Sequence, residues 1–334
     1  MGKKATLEEW KGLYEMAIKI KEMKPWERLN DLDFITIEFD ENSEPIVCSI
    51  LGKGGETYGI CCYRGYEEIY KLFSMIESKD MPPEQVYRYQ DCLACYFGDR
   101  EELNNKEYKL IKDLGYKFRG KGNWIFFRSF DPIFIPDMPN RDEVLEMTKI
   151  LEQLYYALQG MYFGFNVDYE NGMMLVRAFD KKTGSWVNRR GFLEDLEMKF
   201  EVSLRHDELF IKRIKNKKPT KVLLELDIAY LNSIFKDEKY EKPLVMRMAL
   251  LSDRKIGMIL SHHLVTPEDK DTDIYFNTLL NYIYHNGKPK TVFVRDKYVY
   301  QILKDLCEKI NVELKISKKL PAIDFFVNVY NSNF

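Results

Sequence analysis

The chain has 334 residues, 45% hydrophobic and 31% charged, with a formal net charge of −2. The length suits two domains of common size, the composition excludes a disordered chain, and the near-neutral balance gives no global signal for nucleic acid or an anionic membrane. Every apolar run is broken before the about 18 residues of a membrane span, and the start, Met1-Gly2-Lys3-Lys4-Ala5-Thr6, has no apolar signal-peptide core and only a loose glycine-two lipidation pattern. A soluble, cytoplasmic protein is expected.

In chain order, Leu7, Trp10, Tyr14 and Ala17 predict an amphipathic helix over 7–23, ended by Pro25. Short apolar segments at 33–39, 45–51 and 57–63, separated by Asn42-Ser43 and by Gly52-Lys53-Gly54-Gly55, predict two hairpins in series. Tyr66, Ile69, Tyr70 and Phe73 give a helix face, followed by a strand at 92–97, a helix near 103–116 and a strand at 124–130. Pro132, Pro136 and Pro139 punctuate the chain, and Asn140 with Glu143 makes a capping box for a helix buried through Val144, Thr148, Leu151, Tyr155 and Leu158. From 221 the order is strand 222–228, strand 244–251, strand 256–262, helix 272–285, strand 290–295, helix 297–310, strand 312–316 and helix 321–330. The helix over 297–310 carries an apolar stripe of Val299, Ile302, Leu303, Leu306 and Ile310.

The same order of elements runs twice, at 33–130 and 221–316. Pro45 with Gly59 is echoed at the same spacing by Pro243 with Gly257, and Leu110-Ile111-Lys112-Asp113-Leu114 by Ile302-Leu303-Lys304-Asp305-Leu306. The expected architecture is therefore α/β, two related mixed-sheet domains of order β-β-β-α-β-α-β-α. Short turns imply antiparallel pairing of the first three strands and helical crossovers parallel pairing of the later ones. That is the ribonuclease-H-like order, with a ferredoxin-like or other α+β sandwich as the competing topology. The domains read as 1–140, a bridging helix and linker at 141–165, and 166–334 with a strand-rich insertion at 166–220.

Asn286-Gly287-Lys288-Pro289 leading into Thr291-Val292-Phe293-Val294-Arg295-Asp296, with Leu306-Cys307 and Leu320-Pro321-Ala322 beyond, resembles an uncharacterised bacterial family of the domain-of-unknown-function kind. The stretch from Trp26 through Gly65 is similar to a second such family that often precedes it. The resemblance implies no activity. The strand-ending aspartate also looks like the central strand of transposase and integrase cores, a likeness of fold rather than of function.

Ribonuclease-H-like nucleases need carboxylates on the first strand, the fourth strand and a flanking helix to share two metal ions. Asp227 and Asp296 end the corresponding strands, and Asp273 and Asp324 lie on helices. These are the candidate catalytic residues, with Mg²⁺ or Mn²⁺ as cofactor only if the nuclease reading holds. Asp40 and Asp99 occupy loosely similar places in the first pass. Among 53 acidic residues such placements also arise by chance, and an aspartate opening a helix is a routine cap.

His262 and His263, with Glu268, Asp269 or Asp271 nearby, could form a base or metal site, although adjacent strand residues point apart; His206 and His285 have no companions. Gly52-Lys53-Gly54-Gly55 lacks a P-loop ending and leads into a strand, so it reads as a turn. Cys92-x-x-Cys95 falls on a strand that sends the thiols to opposite faces, and the six cysteines read as buried and reduced. Residues 181–221 hold twelve Lys and Arg against six Asp and Glu, a stretch that could grip phosphates or simply be a solvated hairpin. Tyr155, Tyr156, Tyr162 and Phe163 could line an interdomain groove.

The favoured reading is a non-catalytic binding or scaffold protein whose partner the sequence leaves open, another protein being the candidate, with nucleic acid disfavoured and no membrane. A divergent metal-dependent nuclease and a nucleic-acid binder through 181–221 are the alternatives.

Overall fold

A computed structural model describes residues 4–40, 43–77, 83–193, 199–200, 202, 208–240 and 242–333. Among them run thirteen strands and eight α-helices, in two compact units. The first comprises Met1–Ile69, Asp91–Asp131 and Pro136–Lys199, and the second Tyr70–Gln90, Pro132–Ile135 and Phe200–Phe334. The glycine-two pattern at Met1–Lys3, Asn42 of the first turn, His206, and residues 194–198, 201 and 203–207 of the basic stretch lie outside the described residues.

The first unit opens with α1 (Leu7–Met23), capped by Thr6 and Glu9 in a reciprocal box and buried through Trp10, Leu13, Tyr14, Ala17 and Ile20. It ends where Lys24 turns left-handed before Pro25. Strands β1 (Ile35–Glu38), β2 (Ile46–Leu51) and β3 (Gly59–Arg64) form the expected antiparallel meander. Gly52 follows β2 at φ +133°, where a β-carbon would lie 2.6 Å from the Tyr58 ring, so the glycine run serves a turn.

Along the chain helix α2 (Gly65–Glu77) follows, its residues from Tyr70 on assigned to the second unit, then β4 (Cys92–Gly98), α3 (Asn105–Asp113), β5 (Trp124–Asp131) and the short β6 (Phe134–Asp137), whose Phe134 and Ile135 are likewise assigned to the second unit. Helix α4 (Arg141–Tyr162) starts at the Asn140–Glu143 box read from the sequence. It buries Val144, Met147, Ile150, Leu151, Leu154 and Leu158 in a core shared with α1 and the sheet. The hairpin β7 (Met173–Asp180) and β8 (Ser185–Phe192) completes this sheet, in the order β5-β4-β3-β2-β1-β7-β8.

Two expectations are corrected here. The strand pair at 173–192 is not an insertion of the C-terminal domain: β7 pairs in parallel with β1, Ile35 opposite Leu175, because α4 supplies the crossover that parallel pairing requires. And the first pass keeps the order of elements, with the short β6 added, but not the pairing of the second beyond its third strand. β4 pairs antiparallel with β3, on the far side of the meander, instead of returning beside β1.

In the second unit, α5 (Glu208–Lys215) precedes β9 (Leu223–Phe235), β10 (Leu244–Asp253) and β11 (Met258–Val265). Then come α6 (Asp271–Asn286), β12 (Thr291–Val294), α7 (Lys297–Ile310), β13 (Glu313–Ile316) and α8 (Pro321–Asn333). The strands lie in the order β11-β10-β9-β12-β13, neighbours antiparallel among the first three and parallel among the last three. Central β9 is buried from Leu224 to Leu231. Burying Leu226 and Ile228 stabilises by about 1.5–3 kcal/mol each. The α7 stripe buries Val299, Ile302, Leu303, Leu306 and Ile310 as expected. Leu320, just before α8, and Ile323 and Val327 within it pack with Ala229, Leu231 and Leu250 on one side of the sheet.

Candidate functional site

Alternation along β9 gives both sheet faces apolar side chains, yet it also carries two acids with no exposure, Glu225 and Asp227. A buried carboxylate must find donors, and each of these does. Glu225 accepts from Ser252 Oγ at 3.2 Å, from Arg254 at 3.1 Å, and from the Ala322 and Ile323 backbone N–H groups at 3.0 and 3.2 Å, tying β9 to the start of α8. Burial nonetheless raises its pKa, with the Ile323 N–H and Arg254 only partly opposing.

Asp227 meets two guanidinium groups. Arg88 Nη2 donates to Oδ1 at 2.6 Å and Arg295 Nε to Oδ2 at 2.7 Å, while the Tyr275 hydroxyl lies 3.4 Å from Oδ1. Burial alone would raise this carboxyl, but Arg88 and Arg295 outweigh it and hold Asp227 below the ordinary carboxylate range.

Arg88 sits in a 3₁₀ helix, Pro83–Tyr89. Its Nη1 also reaches Asp296 Oδ2 at 3.2 Å, Nη2 donates to the Ile228 carbonyl and to Gln85 Oε1, and Nε has no partner among the described residues. Asp296 is the N-cap of α7, accepting from the Val299 N–H at 2.9 Å, and its other oxygen takes the Tyr89 hydroxyl as well as Arg88. Arg295 completes the cluster through Asp324 Oδ1 at 2.7 Å and the Lys318 carbonyl at 3.2 Å.

The structure thus brings Asp227, Asp296 and Asp324 into one network through Arg88 and Arg295. Asp273 stands exposed on the first turn of α6, with no hydrogen bond or ion pair to the other three. This donor set does not suit a divalent metal: both Asp227 oxygens face guanidinium groups, and Asp296 is divided among Arg88, Tyr89 and a helix cap. Among the described residues no group of three or more His, Cys, Asp or Glu side chains is placed to hold a metal ion. The arrangement can fix the 83–89 segment to β9 and α7 by charge; it offers no free carboxylate pair.

Residues 10–177, half of the chain, match the domain of unknown function DUF7309. The chain belongs to the DUF7309 family. In this DUF7309 protein, residues 210–330 also match a second domain of unknown function, DUF6930. Arg88 and Tyr89 therefore come from the stretch matched by the first domain and their carboxylate partners from the stretch matched by the second. No curated protein matches the chain. A solved structure, the cryo-EM structure of a simian T-cell lymphotropic virus intasome in complex with PP2A regulatory subunit B56 gamma, is similar over 35% of this chain at 12% identity, with a TM-score of 0.25. The chain spans 42% of the length of the intasome-complex chain it matches. No helix among the described residues is long and apolar enough to cross a membrane.

Elsewhere in this DUF7309 protein the expected sites disperse. His262 and His263 line a cleft of about 590 Å³ between β11 and α6, with His263 Nε2 4.0 Å from Asp269. The neighbouring acids are committed, Glu268 to Lys239 and Tyr240, Asp269 to the Thr266 N–H, and Asp271 to Arg247. His285 stacks edge-on against Tyr284. Asp99 accepts from the Gly122 N–H at 2.6 Å and Asp40 pairs with Lys181.

The basic stretch is divided between the units. Arg189 pairs with Glu38 and Arg190 donates to the Asn166 carbonyl in the first, whereas Lys212 to Lys221 belong to the second. All six cysteines are free and buried; Cys95 faces the main core with Cys48 and Cys62, and Cys92 the opposite side with Cys61.

Sequence reasoning missed Arg88, Tyr89, Arg295 and Glu225. Arg295 was visible as a cation beside a strand-ending aspartate, and Glu225 as an acid two residues from Asp227 on one strand face. Arg88 lies in a proline-flanked stretch without periodicity and carried no such signal.

Proposed function

We propose that this chain is a non-catalytic binding or scaffold protein of the bacterial cytoplasm whose second unit is a ribonuclease-H-like module with its carboxylate positions neutralised by arginine. The strand order β11-β10-β9-β12-β13, with helices following the third, fourth and fifth strands in sequence, supports the ribonuclease-H-like reading. Six free cysteines suit a reducing compartment. The resemblance to bacterial domain families motivates the bacterial assignment.

The observation that carries the non-catalytic reading is the single Arg88 guanidinium bonded to both Asp227 and Asp296, with Arg295 on the remaining Asp227 oxygen. Two-metal catalysis needs those oxygens for the ions. The test is incubation of the full chain with single- and double-stranded DNA, RNA and an RNA–DNA hybrid in Mg²⁺ or Mn²⁺. No cleavage is expected, and no metal-dependent shift in melting temperature. Metal-dependent cleavage lost in Asp227→Asn would overturn the proposal.

The nucleic-acid-binding alternative is tested by titrating the same polymers at low and high salt. Salt-sensitive binding lost on changing Lys215, Lys217 and Lys218 to Glu would favour it.

A further inference from the structure

In the first unit, a cavity of about 250 Å³ lies between the turn after α1 and the last turn of α4. Its walls include Leu29, Leu158, Met161 and Phe165, and among the described residues its one charged lining residue is Arg28. The guanidinium carbon of Arg28 rests 4.0 Å from the centre of the Tyr162 ring, and the Tyr162 hydroxyl donates to the Met23 carbonyl, which fixes that ring. Among the described residues no carboxylate pairs with Arg28. A guanidinium resting over an aromatic ring still has N–H groups to offer an anion.

The surroundings narrow the anion. The volume is just below the roughly 300–1,000 Å³ of ordinary ligand pockets, which limits the ligand to a small one. The carbonyls of Gln159, Gly160 and Met161 at the end of α4 are taken by the N–H groups of Phe163, Phe165 and Gly164, so these helix-end acceptors do not compete for the guanidinium. The adjoining cleft shares Val167 and Tyr169 with the cavity and carries Asp31, Asp33, Asp168 and Glu170, a rim whose repulsion grows with ligand charge and so disfavours a dianion more than a monoanion.

We infer that this cavity is a binding site for a small monocarboxylate with an apolar or aromatic body, its carboxylate on the edge of Arg28 and its body against Leu29, Leu158 and Phe165. Phenylacetate, phenylacetamide and phenyl phosphate, titrated into the full chain by calorimetry and by NMR, test it. Saturable binding of phenylacetate is expected, with phenylacetamide and phenyl phosphate each at least about tenfold weaker.

Arg28→Gln, a change at an exposed side chain, should weaken phenylacetate by about tenfold or more and leave phenylacetamide unchanged, with the melting temperature preserved. Leu158→Phe should weaken both by filling the cavity. Equal affinity for the acid and the amide, an unchanged affinity in Arg28→Gln, or no saturable binding of phenylacetate would overturn the inference.

Discussion

Arg88 and Asp227, separated by 139 residues of chain, meet at 2.6 Å with 1% and 0% of their side chains exposed. Removing one partner of such a pair leaves the other as an uncompensated buried charge, at a cost of about 3–5 kcal/mol. Arg88→Met is therefore expected to destabilise the second unit by that order. Asp227→Leu alone should do the same, and the double variant Arg88→Met, Asp227→Leu should lose less than the sum. Hydrogen exchange of the β9 amides, read against urea, checks this; strictly additive losses would show that the pair is not coupled.

The same pair gives stability a pH dependence of definite sign. Asp227 has a folded pKa below its unfolded value of about 3.9, so its contribution is complete above that value and is lost as pH falls through the folded pKa. Glu225, raised by burial, acts oppositely: the folded state holds its proton to higher pH than the unfolded state, and stability declines as pH rises through that window. The two windows are adjacent, that of Asp227 lying below its unfolded value of about 3.9 and that of Glu225 above its unfolded value of about 4.3. Glu225→Gln should steepen the loss of stability on acidification and Asp227→Asn should flatten it, both read from urea midpoints across pH.

At the other end of the chain, Arg141 donates to Glu9 Oε1 at 2.6 and 2.8 Å, and the Thr6 N–H to Oε2 at 2.8 Å. The Arg141 hydrogen bond, followed by that of Thr6, lowers the Glu9 pKa to about 2. In Arg141→Gln the NMR titration of Glu9 should move up toward the ordinary value of about 4.3. A Glu9 that still titrates near 2 would assign the shift to the helix cap alone.

Gly287 closes α6 at φ +92° and ψ 173°, a region that only glycine occupies readily, and a β-carbon there would lie 2.5 Å from the Lys218 carbonyl oxygen. Gly287→Ala should destabilise by about 2–4 kcal/mol, the sum of backbone strain and displacement of the 218–220 segment. Gly115→Ala, at φ +80° with open space around the position, isolates the strain and should cost about 1 kcal/mol.

The thiols provide a check on packing. Cys48 and Cys62 sit opposite one another on β2 and β3 with sulfurs 3.8 Å apart, and the hydrogen bond between the two thiols, together with burial, pushes the Cys62 thiol well up. Native protein should consume almost no thiol reagent, and the denatured chain should consume six equivalents, one for each cysteine.

What could be read from the sequence was what local pattern encodes. The stripe on α7, the Asn140 box and the three-strand meanders follow from periodicity and capping within a few residues. Pairings over long stretches of chain did not follow: β7 reads as a strand from its own residues, but nothing in Met173–Asp180 names β1 as its neighbour. The candidate aspartates were found by position along strands, which locates Asp227 and Asp296 but says nothing of an arginine supplied from residue 88. Alternation also assigns Asp227 to a face without revealing that the face is dry there. Burial of a charge is a property of the assembled unit.

The insertion of Tyr70–Gln90 between β3 and β4 has a consequence for biosynthesis. Arg88 leaves the ribosome well before Asp227, by roughly 7–28 s at 5–20 residues per second over the intervening 139 residues. During that interval the first unit's strands lie on both sides of a segment whose binding place does not yet exist. A chain halted before residue 227 would carry Arg88 without either of its carboxylate partners, Asp227 and Asp296.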